Sequence, residues 1–168
     1  MSAQEICMRV SFLHTHRIFD TSFIYAFNTR AERILLWDSL KSRGDGMTLP
    51  WILMGDFNCL RYHHERSGGE PIAPRDLVDL SRLHLQLSDV NHVGCFFTWF
   101  NSTISSKFDW VMVNHLWNQL NLDVFAEFVA PGCYSDHAYS VVTVFREEAK
   151  RATPFKFFNM WTTHVDYN

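Results

Sequence analysis

The stretch "WILMGDFNCL", residues 51–60, decides how this chain is read. Pro50 precedes an apolar run that forms a short buried strand, and Gly55 breaks that run into Asp56 and Asn58. Side chains alternate along an extended chain, so Asp56 and Asn58 project to the same side if the strand continues. One rim of a sheet then carries both an acid and an amide. Standing alone, a Gly-Asp pair after a strand is ordinary turn chemistry. The segments on either side decide whether it is more.

Upstream, residues 6–13 and 22–27 are β-rich and joined by a polar His/Arg segment, which predicts a hairpin. "TRAERILLWDSLKSRGDG", residues 29–46, opens with Thr29 and Glu32 at capping-box spacing and keeps apolar positions through Leu40. It reads as a helix that stops at Gly44. Downstream, "RYHHERSGGEPIAPR", residues 61–75, is a loop by its glycines and prolines, and its place after a strand end marks a functional surface. Residues 76–85 are helical in composition. "GCFFTWFN", 94–101, reads as a strand that pairs with "SKFDWVMVN", 106–114, across a polar turn. Asn114 caps a short helix over 115–120, and two more strands follow over 124–129 and 138–145.

Alternating short strands and helices, with several adjacent β segments, predict a layered α/β domain. Its sheets are largely antiparallel or mixed, and two sheets packed face to face with helices outside fit the pattern. At 168 residues, with 47% apolar and 20% charged residues, the chain buries one sizeable core. That core is expected to span residues 1–145. Residues 146–168 begin as a charged linker and end in an aromatic cluster with no partner in its own segment, so they read as a connector toward something further.

A formal charge of −3 supplies no global field for nucleic acid, so any phosphate chemistry is expected to be local, at a metal. No apolar run approaches the 18 or so residues that span a bilayer, and residues 1–17 lack the order of a secretory signal. The expectation is a chain that is not secreted and has no transmembrane segment, nuclear or cytoplasmic. Cys7, Cys59, Cys95 and Cys133 show no CxxC spacing, so reduced, mostly buried thiols are expected.

Asp109 sits at the start of a strand, and Asp136 with His137 directly precedes another. If these ends share one rim with Asp56 and Asn58, three carboxylates, an amide and an imidazole converge. Such a set suits metal-assisted hydrolysis of a phosphate ester: carboxylates hold a hard cation, while an acid, an amide and a histidine orient water and stabilise charge. The bland alternatives are a local turn at Ser135-Asp136 and a salt-bridge role for Asp109. The remaining histidines read as surface or satisfied residues, and the Trp and Phe residues as core.

Four motifs occur in order: "FIYAFN" at 23–28, "WILMGDFN" at 51–58, "FDWVMVN" at 108–114 and "SDHAYSVV" at 135–142. Together they resemble the endonuclease/exonuclease/phosphatase superfamily. "HHERSGG" at 63–69, "FFTWFN" at 96–101 and "PFKFFNMW" at 154–161 resemble, more narrowly, the endonuclease domain of plant non-LTR (LINE-type) retrotransposon polyproteins. There, a connector leads toward a reverse transcriptase.

The resemblance implies a four-layered α/β sandwich and a Mg²⁺-dependent phosphodiesterase acting on DNA, with Mn²⁺ as a substitute cation. By the same resemblance, Asp56 positions or activates water, or protonates the leaving oxygen. Asn58 contacts the scissile phosphate, Tyr25 supports it, and Asn28 contacts the phosphate backbone. His137 stabilises the transition state, Asp109 orients its imidazole, and Asp136 stands at the metal. The family also places an Asn and a metal-binding Glu upstream of the Tyr motif, and residues 1–23 supply neither, since Glu5 falls in what reads as a later strand. The resemblance therefore implies a domain incomplete at its N-terminus and impaired in activity. Two alternatives remain at this point: a non-catalytic remnant or interaction module, and a phosphatase of small molecules or lipids.

Overall fold

The computed structural model describes residues 2–14, 16–77, 85–120 and 122–146. Its strands are β1 (Glu5–Ser11), β2 (Ile18–Tyr25), β3 (Trp51–Asp56), β4 (Arg66–Ser67), β5 (Leu87–Asp89), β6 (Asn91–Gly94), β7 (Trp99–Phe100), β8 (Ser105–Ser106), β9 (Asp109–Asn114), β10 (Leu122–Val129) and β11 (Tyr139–Arg146). Between β2 and β3 lies the helix α1 (Arg30–Asp45).

Thr29 accepts the N–H of Glu32 and so starts α1, as the capping-box spacing predicts. The helix runs one residue past the predicted stop at Gly44, because it is Gly46 whose N–H closes the last turn on the carbonyl of Arg43. Its inner stripe, Leu36, Trp37 and Leu40, packs on Ile24, Trp51, Leu53, Trp110 and Met112 from one face of a five-stranded sheet. That sheet has the order β1-β2-β3-β9-β5 and is mixed: β2 and β3 run parallel and the other pairs antiparallel.

Phe19, Ile52, Val111 and Val113 on the opposite face meet Ala126 and Phe128 of a second sheet, ordered β11-β10-β6, together with Trp117 and Leu120. Each such apolar side chain contributes about 1.5–3 kcal/mol on burial. Among the described residues the layers are thus a helix, a five-stranded sheet and a three-stranded sheet, an α/β sandwich of packed sheets as expected, and the fourth layer that the resemblance implies is not among them. A third, small sheet has the order β4-β8-β7.

The hairpin of residues 6–13 and 22–27 forms as β1 and β2, paired from Glu5↔Ile24 to Ser11↔Ile18. The expected pairing of 94–101 with 106–114 forms only next to its turn, where Trp99 pairs with Ser106. Only β7 and β8 make a short hairpin, and β9 instead enters the large sheet between β3 and β5. All six residues of β9 are buried, and an apolar run without alternation belongs inside a sheet covered on both faces.

Asn114 does not serve as a simple cap. Its carboxamide bridges two backbone groups, accepting the N–H of Trp51 at 3.0 Å and donating to the carbonyl of Leu49 at 3.1 Å, and the following segment His115–Leu120 is a 3-10 helix. The helix predicted over 76–85 falls largely outside the described residues, as does the connector beyond residue 146.

All four thiols are free, but only Cys59 is buried. Cys95 is half-buried, and Cys7 and Cys133 are exposed. Among the described residues, no helix is long and apolar enough to cross a membrane.

Candidate active site

Gly55 ends the regular part of β3. It has φ +128°, and a Cβ there would stand 2.2 Å from the carbonyl oxygen of Ile24, so the close parallel approach of β2 requires glycine. Asp56 follows in the ladder between Tyr25 of β2 and Asp109 of β9. The central strand thus sets these three residues in one row across the sheet end.

Beyond Asp56 the chain leaves the strand. Asn58 adopts φ +51°, a left-handed conformation that Asn tolerates. Its N–H donates to Asp56 Oδ1 at 2.8 Å, and its Nδ2 lies 3.1 Å from Asp56 Oδ2, 2.9 Å from the carbonyl of Ala26 and 2.9 Å from Asn28 Oδ1. The expected meeting of Asp56 and Asn58 therefore occurs, but a turn produces it rather than the pleat of a continuing strand.

Thr98 anchors the start of β9. Fully buried, it accepts the N–H groups of Phe108 at 3.0 Å and Asp109 at 2.9 Å through Oγ1. Its carbonyl takes the N–H of Ala138 at 2.7 Å, which draws the loop before β11 against the same strand ends. His137 consequently donates from Nδ1 to Asp109 Oδ2 at 3.0 Å, while its Nε2 stands 3.8 Å from Asp56 Oδ2. Asp136 is held beside it: its Oδ2 accepts the indole N–H of Trp99 at 2.8 Å and its carbonyl the N–H of Phe100 at 2.9 Å.

These groups line one open cleft of about 740 Å³, with Tyr25, Asn28, Asp56, Asn58, Asp109, Asp136 and His137 all on its wall. Every residue singled out in the sequence reaches it. Tyr25, largely exposed, forms the rim. The cleft also includes Ile24, Trp99, Phe108 and Ser135, which the sequence reading did not single out. Ile24, Phe108 and Ser135 directly precede Tyr25, Asp109 and Asp136 in the sequence, and Trp99 lies in the segment 96–101.

Burial pushes the Asp56 carboxyl from 3.8 up to about 6, and the negative charge of Asp109 adds to the effect; the hydrogen bond from Asn58 and the nearby His137 oppose it. The bond to Asp109 raises His137 above its ordinary value, against the opposing effect of its own burial. The imidazole is thus fixed in the tautomer with hydrogen on Nδ1 and presents Nε2 to the cleft.

Asp56, Asp109 and His137 each offer a donor atom within 4.8 Å of the others. Two carboxylates and one imidazole fit a divalent cation in donor chemistry, and the negative charge of Asp109 beside Asp56 is one that a cation would offset. Asp136 lies outside this group of three, with one carboxylate oxygen on Trp99. Glu5 is directed elsewhere. Its buried carboxylate accepts Ser22 Oγ at 2.8 Å and is ion-paired with Arg43, whose Nε stands 3.2 Å away, on the α1 side of the sheet.

The profile of the Endonuclease/Exonuclease/phosphatase family matches residues 10–137. Among solved structures, the chain is similar to a mannosyl-6-phosphatase of Bacteroides thetaiotaomicron, with 20% identity and a TM-score of 0.51 over 83% of this chain and 57% of that one. It is also similar to an endonuclease/exonuclease/phosphatase family protein of the same bacterium, with 18% identity and a TM-score of 0.50 over 86% of this chain and 57% of that one. The chain therefore spans less than two thirds of the length of these structures, and the likeness is one of fold. No curated protein sequence matches it.

Proposed function

The chain belongs to the endonuclease/exonuclease/phosphatase family, and from that premise we propose that its cleft serves cation-assisted hydrolysis of DNA phosphodiesters, in the manner of a retrotransposon endonuclease. One observation carries the reading. His137 is locked by Nδ1 to Asp109 and turns Nε2 toward Asp56, in a cleft whose wall also holds Asn58 and Asn28. A phosphate seated there would meet the imidazole of His137 on one side and the carboxamide of Asn58 on the other.

In this scheme Asp56 orients the attacking water and accepts its proton. Asn58 donates to a phosphate oxygen, and Asn28 and Tyr25 hold the phosphate from the rim. His137 stabilises the charge that develops on phosphorus-bound oxygen, with Asp109 keeping its ring oriented. A divalent cation, Mg²⁺ or Mn²⁺, held at Asp136 beside Asp56 and Asp109, would supply charge neutralisation. The motif segments at 63–69, 96–101 and 154–161 favour the retrotransposon form of the family, with residues 1–145 as the endonuclease part and 146–168 as the connector. The family's upstream Glu has no counterpart in residues 1–23, because Glu5 is bound to Arg43 and Ser22.

The test is nicking of supercoiled plasmid in Mg²⁺ or Mn²⁺, with EDTA and His137→Ala as controls. Loss of a transition-state stabiliser costs on the order of 10² to 10³ in rate. Metal-dependent nicking that His137→Ala abolishes is the expected result. Nicking that survives the substitution, or none at all, refutes the proposal and leaves a non-catalytic remnant.

A further inference from the structure

Trp99 lies on the cleft wall but carries none of the roles assigned above. Its surroundings are specific. The indole Nε1 donates to Asp136 Oδ2 at 2.8 Å, its backbone bridges His137, and its ring meets that of Phe108 at 5.6 Å between centroids. Asp136 and its neighbours lie in the loop between β10 and β11, where Ser135 and Asp136 are exposed. A carboxylate on an exposed loop samples several rotamers, and a bond from a side chain on another strand selects one of them.

We infer that Trp99 is a positioning residue for the cation site: its indole N–H holds Asp136 in the one rotamer that keeps the carboxylate on the cleft wall beside His137. The role is one of orientation through a hydrogen bond, as partners of metal-binding carboxylates exert elsewhere. It depends on the N–H, which only tryptophan among the aromatic residues carries at that place on the ring. The inference rests on the placement of Asp136 at the cation given under the proposed function.

The experiment measures Mn²⁺ affinity of the full chain by the electron paramagnetic resonance signal of free Mn²⁺. It uses the wild type, Trp99→Phe, Asp136→Asn and the double variant, with thermal unfolding as a control for folding. Phenylalanine keeps a ring against Phe108 and removes only the donor. The expected result is that Trp99→Phe weakens Mn²⁺ binding about tenfold, that Asp136→Asn weakens it at least as much, and that the double variant is no weaker than Asp136→Asn alone. A purely structural contribution of Trp99 would instead add its loss in the Asp136→Asn background. An unchanged affinity in Trp99→Phe, or additive losses, overturns the inference and leaves the site reading in place. An Asp136→Asn variant that binds Mn²⁺ like the wild type overturns the placement of Asp136, and the inference with it.

Discussion

Asp56→Asn is expected to stabilise the protein at alkaline pH while removing its chemistry. In the fold, burial and the facing Asp109 raise the Asp56 carboxyl from 3.8 to about 6. The unfolded chain releases this proton earlier on a pH rise, so between those values the folded state binds more protons and stability falls as pH increases. At about 1.4 kcal/mol per pH unit, the full cost above pH 6 is roughly 3 kcal/mol. Asparagine carries no charge and escapes that cost. It has one acceptor oxygen where Asp56 uses two, toward the N–H and the Nδ2 of Asn58, and the lost bond takes back about 1 kcal/mol. The attraction to His137 is already contained in the raised Asp56 value.

The net gain at pH 8 is therefore about 1–2 kcal/mol, or roughly 2–8 °C in Tm for a chain of this size. Near pH 4 the gain vanishes, because Asp56 is then protonated in the folded wild type. Urea unfolding followed by tryptophan fluorescence, at pH 4 and pH 8 in EDTA, measures both points. A variant no more stable than the wild type at pH 8 would refute the reasoning, since it would mean that Asp56 ionises in the fold without cost.

Two further outcomes follow from the same geometry. Gly55→Ala forces a side chain into a φ of +128° and against the Ile24 carbonyl; strain of this kind costs about 1–3 kcal/mol before the clash is relieved, so Tm should fall by about 5–10 °C, and a Tm within 2 °C of the wild type would contradict the account of that strand pair. Asp109→Asn should lower the His137 pKa, read from its imidazole proton shifts by NMR, because the bond to Asp109 is the leading cause of its elevation. In the wild type this pair stabilises the fold fully below the ordinary histidine value of 6.5 and loses that contribution as pH rises through the higher folded value, so an unchanged His137 titration in the variant would place the cause elsewhere.

The features legible in the sequence are those set by neighbours along the chain. Thr29 and Glu32 start a helix because a cap forms within one turn, and β1 and β2 pair because a short polar segment returns the chain on itself. Asp56, Asn58, Asp109, Asp136 and His137 are marked in the sequence by their places at strand ends, Tyr25 and Asn28 by the family resemblance, and the fold brings all of them to one cleft. Tertiary structure decided what depends on distant partners. The burial of β9 on both faces moved it between β3 and β5, away from the neighbour in sequence with which it was expected to pair, and that move sets Asp109 opposite Asp56. Thr98 and Trp99 gained their places only when the loop before β11 closed on them, and Asn114 gave its carboxamide to Trp51 and Leu49 rather than to the helix it precedes. The elevated Asp56 carboxyl likewise exists only where burial and a second carboxylate coincide. Hydrogen-bond caps and turns act over a few residues and are written locally; ladder order, desolvation and the meeting of charges from separate strands are properties of the assembled sheets.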